Sequence, residues 1–484
     1  MKKAITFRDV LLVPKRSPIR SRKDVDTTGR FSRKLALKCP IVSANMDTVT
    51  EAAMAIAMAR CGGLGIIHRF LSIEDEVAEV AKVKRAENII IEDPYTLGPD
   101  ATVAQARAAM SRHEVGGMLI VDPQRKLLGI VSERDLQFRT DSHLPLRKVM
   151  SRDLITAKPG ISEDVARRLL GQHKIEKLPL VDARGILVGL ITARDLKMRE
   201  LHPEASKDAR GRLLVGAAVG VMADYLERCS ELLKAGADVL VLDVAHGHAE
   251  HVLAAVKAIK KRLPKVELVA GNVATYEGAR SLAEAGADGI KVGVGPGSIC
   301  ITRIVSGSGV PQLTAIMDCA QVTKRYGVPV IADGGIRDSG DIAKALAGGA
   351  STVMLGSLLA GTEESPGWTV VRDGARYKIY RGMASLTATL SRKKREHHCE
   401  ADLDPIEVAE VIPEGVESVA PYRGPVAEVV HQLAGGLRSG MSYSGAHNLK
   451  EFWKKAEFIR ISQASWAESR PHALEVVPLV VEGC

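Results

Sequence analysis

Eight short apolar runs constrain the fold more than any other feature of this sequence. They are rich in branched residues and cover residues 40–44, 64–68, 213–219, 239–245, 267–273, 289–294, 329–333 and 352–356. Because amphipathic stretches separate them, the pattern predicts βα units around a parallel sheet. Eight such units fit an α/β fold of the (β/α)₈ TIM-barrel type, whose active site lies at the carboxyl ends of the strands. An open, doubly wound sheet is the alternative.

A long interruption separates the second run from the third, and it carries an internal repeat. Asp135 and Asp195 are sixty residues apart, and so are the members of the pairs Thr96 and Thr156, Val121 and Val181, and Gly129 and Gly189. A fixed period of this kind indicates two copies of one structural unit. We therefore expect a domain at 92–201, with halves 93–150 and 151–201, inserted into a barrel formed by 1–91 and 202–484.

Length and composition limit the functional classes. A chain of 484 residues with 46% hydrophobic content is long enough for two units, each with its own core. The amino terminus lacks the apolar segment of a signal peptide, and we find no apolar run long enough to cross a bilayer, so a cytoplasmic enzyme is expected. The net charge of +9 suits anionic ligands such as nucleotides, but the basic residues are spread along the chain and nucleic-acid binding is not indicated.

One cysteine stands out from the other six. Cys300 ends a loop that follows the run at 289–292 and contains Gly293, Gly295 and Gly297, whose backbones approach a ligand closely. Such a loop is a typical place for a nucleophile, and the Thr302 hydroxyl is suited to relaying a proton. The alternative is that Cys300 is a small buried hydrophobe. The seven cysteines form no CxxC pair, which disfavours a zinc site and a disulfide framework.

The loop Gly-Val-Gly-Pro-Gly-Ser-Ile-Cys-Ile-Thr-Arg at 293–303, followed by Gly-Ser-Gly-Val-Pro-Gln at 307–312, resembles the catalytic loop of the IMP dehydrogenase and GMP reductase family. The resemblance runs over nearly the whole chain and is closest to the dehydrogenase. It implies oxidation of IMP to XMP with NAD⁺, through a covalent thioimidate on Cys300, in guanine nucleotide biosynthesis. The alternatives are a GMP reductase, which consumes NADPH and converts GMP to IMP, and a regulatory nucleotide-binding protein that has lost turnover.

The resemblance also implies ligand-binding residues. For the nucleotide substrate these are Ser43, Met46, Ser298, Asp333, Gly334, Gly335, Gly356, Ser357, Tyr380, Gly382, Met383 and Glu414. For NAD they are Asp243, Val244, Ala245, Gly293 and Gly295. Met46 is equally compatible with a core position, and the segment at 380–385 with the edge of a β-hairpin. His246 and His248 lack a third ligand at a suitable spacing, so a transition-metal site is not expected.

Two further sites follow from the resemblance. A potassium ion is expected among the carbonyls of Gly295, Gly297 and Cys300 and, from a neighbouring subunit of a homotetramer or octamer, Glu468, Ser469 and Arg470. The alternative for those last three residues is an ordinary disordered tail. The halves of the insertion resemble paired CBS domains, a Bateman module, in which Ser132, Asp135, Thr192 and Asp195 would bind an adenine or guanine nucleotide. The alternatives are that the insertion binds nothing, or that both aspartates only cap helices.

The segment at about 386–420 departs from the family. In the dehydrogenase a mobile flap here carries an adjacent Arg-Tyr pair that activates water, whereas this chain reads Ser-Arg-Lys-Lys-Arg-Glu-His-His-Cys-Glu at 391–400. The early glutamate of the reductase is also missing, since Leu386 or Thr387 stands there. Flap length and Pro-Glu-Gly-Val-Glu at 413–417 favour the dehydrogenase. Arg395 with His397 or His398 is a candidate replacement for the pair, and a solvated loop is the alternative.

Overall fold

The computed structural model describes residues 3–87, 90–113, 115–222, 224–390 and 412–470. The chain divides into two compact units. The first comprises residues 1–84, 204–208 and 213–484, and the second comprises 85–203 and 209–212. Among the described residues, no helix combines the length and the apolar character needed to cross a membrane.

The first unit is built on a closed barrel of eight parallel strands, which confirms the (β/α)₈ prediction. Its strands are β1 (Ile41–Ser43), β2 (Leu64–Ile67), β3 (Gly216–Val219), β4 (Val239–Asp243), β5 (Leu268–Val273), β6 (Gly289–Val292), β7 (Val330–Asp333) and β8 (Thr352–Leu355). Each lies within one of the eight apolar runs. Pairing of Met354 with Val42 joins β8 to β1 and closes the barrel, so the alternative of an open sheet is wrong.

Helices and short accessory strands surround the barrel. The helices of this unit are Ala52–Arg60, Ile73–Ala86, Tyr225–Ala235, Glu250–Arg262, Tyr276–Ala285, Thr302–Val305, Gln312–Cys319, Gln321–Tyr326, Ser339–Ala347, Ser357–Ala360, Val426–Tyr443, Leu449–Lys455 and Gln463–Glu468, with 3₁₀ turns at Phe7–Asp9 and Arg22–Asp24. Val10–Leu12 pairs with Phe458–Arg460, Gly29–Arg30 pairs with Ala36–Leu37, and Thr369–Arg372, Ala375–Arg381 and Glu417–Pro421 form a three-stranded sheet.

The interior of the barrel is filled, and one end is covered. Val241, Val269 and Ile331 belong to one fully buried cluster with Phe31 and Leu37, which come from the hairpin that contains Gly29–Arg30. Gly289, the first residue of β6, lies so close to this hairpin that an added Cβ would be 2.6 Å from the Phe31 carbonyl oxygen. The hairpin therefore covers the amino ends of the strands. The carboxyl ends remain as the place for a site.

Two lysines, the buried Lys84 and the half-buried Lys260, repeat the same arrangement under neighbouring parts of the barrel. Lys84 Nζ donates to Asp238 at 2.6 Å and to the Leu213 carbonyl at 2.9 Å. Lys260 Nζ donates to Asp288 at 2.7 Å and to the Val266 carbonyl at 2.8 Å. Both aspartates follow an Ala-Gly-Ala sequence that joins a helix to a strand, so a lysine ties a helix to the sheet at each of these two joints.

The second unit contains two similar halves. Its elements are Thr96–Leu97, Val103–His113, Gly117–Val121, Leu127–Ser132, Glu133–Leu136 and the 3₁₀ turn Leu146–Lys148, then Glu163–His173, Lys177–Val181, Leu187–Thr192 and Ala193–Leu201. Each half packs a helix against an antiparallel hairpin and has its own apolar cluster. A third cluster of Leu119, Val121, Leu187 and Leu190 joins the two halves.

Candidate active site

The cysteine-bearing loop is fixed against the carboxyl ends of β6 and β7. Gly293 has φ of 151°, and a Cβ there would lie 2.0 Å from the Asp333 carbonyl oxygen, so this position requires glycine. The Gln312 side chain donates to the carbonyls of Val292 at 2.9 Å and Asp333 at 3.0 Å. The loop is thus held at both of its edges, which positions Cys300 at the mouth of the barrel.

Cys300 begins a line of three polar groups. Its thiol donates to Thr302 Oγ1 at 3.2 Å, and the Thr302 hydroxyl donates to Glu414 Oε2 at 2.7 Å. All three residues are half-buried, so the line connects the interior of the site with a carboxylate. A proton can pass from the thiol to the hydroxyl while the hydroxyl proton passes to Glu414, which leaves a thiolate nucleophile.

Glu414 reaches this position because its segment passes along the cysteine loop. The Ile301 amide donates to the Glu414 carbonyl at 2.8 Å, and the Val416 amide donates to the Ile299 carbonyl at 2.9 Å. On the other side, the Glu414 amide donates to the Ala384 carbonyl at 3.0 Å. Glu414 was predicted from the sequence to bind the nucleotide substrate, and its contact with Thr302 was not predicted. One of its carboxylate oxygens is committed to that hydroxyl.

A buried lysine joins two carboxylates that follow different strands. Lys291 in β6 donates to Asp243 Oδ1 at 2.6 Å and to Asp333 Oδ2 at 2.9 Å. The amide of Asn272 in β5 donates to the same Asp333 oxygen at 3.0 Å. Burial raises the pKa of Asp243, but the adjacent Lys291 ammonium outweighs this effect and holds the pKa below its ordinary value. Conversely, burial lowers the pKa of Lys291, but the two adjacent carboxylates outweigh this effect and raise the pKa above its ordinary value.

Lys291 is not among the site residues predicted from the sequence. The available signal was a charged residue in the middle of an apolar strand run, Gly289–Val292. A lysine in that position is costly unless it is paired, because burial removes water from the ammonium group. Asp333 follows Lys291 by 42 positions and Asp243 precedes it by 48, so the sequence alone could not pair them.

Glycines and a tyrosine line the mouth beside the cysteine loop, where Gly334 and Gly335 lie against Pro296. Gly334 and Gly335 have positive φ angles of 89° and 79°. A Cβ on Gly356 would lie 2.9 Å from the Tyr380 hydroxyl and 3.1 Å from Met46 Sδ, so these three residues are in close contact. Burial raises the pKa of Tyr380 to about 12, although a hydrogen bond with Ser298 acts in the opposite direction. The phenol is neutral and available as a hydrogen-bond donor.

An ion pair fastens the segment that follows Tyr380. Arg381 Nε donates to Asp47 Oδ2 at 2.9 Å, and the Asp47 amide lies 3.4 Å from Met383 Sδ. Gly382 and Met383 are therefore held against the loop that follows β1. Ser43, at the end of β1, is fully buried, and its hydroxyl accepts a hydrogen bond from Thr50 at 2.9 Å. Ser357 follows Gly356 directly at the start of Ser357–Ala360.

The remaining predicted residues of this unit lie in several places. Val244 and Ala245 continue β4, and the Val244 amide donates to the Gly271 carbonyl at 3.1 Å. Glu468, Ser469 and Arg470 lie at the end of Gln463–Glu468, where the Trp466 ring packs under Arg8, whose guanidinium is 4.9 Å from its centroid. Within the described parts of the chain, no cluster of three or more His, Cys, Asp or Glu residues is arranged for metal binding. Arg395, His397 and His398 lie outside the described residues.

The carbonyl oxygens expected to bind potassium are chemically suited to that ion. Gly295, Gly297 and Cys300 lie in one loop, and Gly295 takes a φ of 77°. Carbonyl oxygens from such a loop are hard, uncharged ligands that suit a large monovalent cation. The Gly297 carbonyl already accepts the Cys300 amide at 3.2 Å, which leaves it a second lone pair.

In the second unit, the four predicted regulatory residues occupy equivalent helix starts. Ser132 caps Glu133–Leu136 and accepts the Asp135 amide at 3.3 Å, while its hydroxyl donates to Asp135 Oδ2 at 2.7 Å. Thr192 caps Ala193–Leu201 and accepts the Asp195 amide at 3.2 Å. The repeat in sequence is therefore a repeat of local structure.

Comparisons with known proteins identify close relatives. Residues 4–472 match the family described as the IMP dehydrogenase / GMP reductase domain. The chain is 54% identical to inosine-5'-monophosphate dehydrogenase of Nitrosopumilus maritimus, covering 97% of this chain and 98% of the relative. It is 50% identical to the enzyme of that name from Bacillus subtilis, over 98% and 96%. A solved Trypanosoma brucei GMP reductase variant in complex with guanosine 5'-monophosphate is 45% identical, with a TM-score of 0.92 and coverage of 98% and 99%.

The arrangement predicts selective alkylation of Cys300. Burial raises the pKa of Cys39 and of Cys229 to about 12 and that of Cys61 to about 11, and it raises the pKa of Cys319 as well. Iodoacetamide at pH 7.5 should therefore modify Cys300 at least about tenfold faster than these four cysteines. Peptide mapping by mass spectrometry measures each site separately. Thr302→Val should slow the reaction of Cys300, and equal rates in both proteins would contradict the proton path through Thr302.

Proposed function

Because the chain belongs to the IMP dehydrogenase / GMP reductase family, we propose that it oxidises IMP to XMP and reduces NAD⁺ to NADH. The observation that carries this conclusion is 54% identity to a relative named as the dehydrogenase over 97% of this chain. The activity belongs to guanine nucleotide synthesis. The line from Cys300 through Thr302 to Glu414 supports a covalent mechanism on the barrel.

The first half of the reaction begins with the cysteine. The thiol proton passes to Thr302 as the Thr302 proton passes to Glu414, and the Cys300 sulfur bonds to C2 of the purine. NAD⁺, when bound, accepts the hydride that leaves C2. The nucleotide then remains attached to Cys300 as a thioimidate.

The second half of the reaction is hydrolysis. Water adds to C2, its proton is taken by a base, and the carbon–sulfur bond breaks to release XMP and the Cys300 thiolate. The Thr302 hydroxyl and the Glu414 carboxylate form one path for that proton. Residues of the flap are the second candidates.

The residues proposed to contact the ligands lie around the mouth of the barrel. We assign the ribose of the nucleotide to Asp333 and its phosphate to the backbone of Gly335 and Gly356 with Tyr380. The Tyr380 hydroxyl lies beside Gly356, which supports a shared role. Met46, Gly382 and Met383 would contact the base. Asp243, with the backbone of Val244 and Ala245, would hold the nicotinamide ribose of NAD⁺.

GMP reductase is the second candidate, and one comparison favours it specifically. The Trypanosoma brucei GMP reductase in complex with guanosine 5'-monophosphate has a TM-score of 0.92 to this chain. The absence of an adjacent Arg-Tyr pair from 391–411 points in the same direction, because a reductase needs no hydrolytic water. This reaction would release ammonia from C2 and add a hydride from NADPH.

Assays with both substrate pairs test the proposal. The purified protein should raise absorbance of the reduced cofactor with IMP and NAD⁺ and leave it unchanged with GMP and NADPH. Cys300→Ala should abolish turnover, because no covalent intermediate forms, while nucleotide binding measured by equilibrium dialysis is retained. Loss of absorbance with GMP and NADPH, and no change with IMP and NAD⁺, would identify the protein as a GMP reductase. A protein that binds both nucleotides without turnover would be a regulator.

We further propose that Arg395 with His397 or His398 activates the hydrolytic water. Arg395→Ala, or a double His397→Ala, His398→Ala variant, should still give a burst of NADH but accumulate the covalent nucleotide on Cys300. Loss of one general base typically lowers the rate about 10²- to 10⁴-fold. Lys393→Ala, a neighbouring cation in the same run, is the matched control. Hydrolysis at the parental rate in all variants would leave the Thr302 and Glu414 path as the better proposal.

Potassium and oligomerisation are proposed together. The carbonyls of Gly295, Gly297 and Cys300 would bind the ion with Glu468, Ser469 and Arg470 of a neighbouring subunit. This arrangement requires a neighbouring subunit, and the proposed assembly is a homotetramer that pairs into an octamer when nucleotides fill the second unit. Full activity of a monomer in buffer without potassium would contradict both proposals.

We propose that the inserted domain expected at 92–201, which lies within the second unit, is a Bateman module. It would bind an adenine or guanine nucleotide. Equivalent caps at Ser132 and Thr192 support it, since they place Asp135 and Asp195 in matching positions. Asp195→Ala should weaken nucleotide binding about tenfold, measured by calorimetric titration at constant salt. Asp164→Ala, an exposed aspartate in the same half, is the control. Equal affinities in the two variants would exclude Asp195 from the site.

A further inference from the structure

We propose that Lys291 is a positioning residue shared by the two ribose sites, because it bridges the carboxylate assigned to the mononucleotide and the one assigned to the dinucleotide. The inference rests on the proposed function, which assigns Asp333 and Asp243 to these two ligands. It predicts that one buried side chain controls the affinity for both.

The geometry distinguishes Lys291 from an ordinary buried ion pair. Its side chain is 3% exposed, whereas those of Asp243 and Asp333 are each 20% exposed. The ammonium group is therefore sealed behind the carboxylates, and the carboxylates face the mouth. Lys291 cannot reach a ligand except through them, so it acts on ligands by holding its two partners.

The hydrogen bonds show which carboxylate oxygen is left for a ligand. Asp333 Oδ2 accepts both Lys291 at 2.9 Å and Asn272 at 3.0 Å. Two donors on one oxygen fix the carboxylate plane and leave Oδ1 for the hydroxyls of a ribose. Asp243 accepts Lys291 through Oδ1 at 2.6 Å.

The charges explain why the bridge needs a cation. Two carboxylates and one ammonium carry a net charge of −1, whereas the carboxylates alone would carry −2 in a site of low exposure. Without Lys291, repulsion would turn the carboxylates apart or favour their protonation. Either change removes the acceptor that a ribose diol requires. Arg69 also acts on Asp243 through its charge, and Asn45 bonds to Asp243.

Lys291→Met tests the proposal against a matched control. Dissociation constants for IMP and for NAD⁺ are measured separately by equilibrium dialysis, which does not require turnover. Loss of the bridge should weaken each by about tenfold or more, as expected when hydrogen bonds of charged groups lose their geometry. The control is Lys260→Met, which removes a lysine paired with Asp288 at the amino ends of the strands. It should leave both dissociation constants unchanged and lower only thermal stability.

A second pair of variants covers the case in which Lys291→Met does not fold. Asp243→Asn keeps the Lys291–Asp333 contact and should preserve IMP affinity while weakening NAD⁺ binding. Adding Lys291→Gln restores the parental net charge of −1 to the cluster but breaks the bridge, so IMP affinity should now fall about tenfold. Equal IMP affinity with and without Lys291→Gln would overturn the proposal. So would a Lys291→Met protein that is folded and loses affinity for only one ligand.

These outcomes are separate from failure of the proposed function. If the parental protein binds neither IMP nor NAD⁺, the proposed function fails. If it binds both but Lys291→Met behaves as Lys260→Met does, only the role of Lys291 fails. Lys291→Arg, which keeps the charge with a different shape, should recover part of the lost affinity.

Discussion

Pairing of β8 with β1 is the interaction on which the rest of the structure depends. Three residues of each strand are in register there, from Val353 with Ile41 to Leu355 with Ser43. Closure gathers the carboxyl ends of all eight strands into one ring, and residues far apart in sequence become neighbours. Without this pairing, Met46 after β1 and Gly356 after β8, which are in contact here, would lie at opposite edges of an open sheet. The geometry of the site therefore depends on closure of the barrel.

Within that ring, the site is organised by two kinds of contact. Close backbone approach sets the positions of the loops, as at Gly293 beside the Asp333 carbonyl. Buried charge sets the positions of the side chains, as where Lys291 joins Asp243 to Asp333. The first kind requires glycine, and the second requires opposite charges in a place where water cannot replace a lost partner. Both are rigid, which suits a reaction that aligns a thiolate, a purine carbon and a nicotinamide.

The dehydrogenase and the reductase share the covalent half of their chemistry and differ in the fate of the intermediate. In the proposed mechanism Cys300, Thr302 and Glu414 would serve either reaction, so their geometry does not separate the two. Similarity over nearly the full length favours the dehydrogenase, whereas the flap sequence lacks the pair that a dehydrogenase uses for water. If the chain hydrolyses the thioimidate, the base comes either from the Thr302 and Glu414 path or from flap residues such as Arg395.

The sequence by itself determined the eight-stranded barrel, the inserted repeat and the cysteine loop, because these leave local patterns of apolar runs, a fixed period and clustered glycines. The repeated Ala-Gly-Ala joints were visible too, but the lysines beneath them were not. Only the tertiary structure decided which polar groups meet. Thr302 and Glu414 are 112 positions apart, and Lys291 pairs with carboxylates that are 48 and 42 positions away in β4 and β7. A local pattern cannot encode such pairs, since they depend on how the sheet closes and on which side chains closure removes from water.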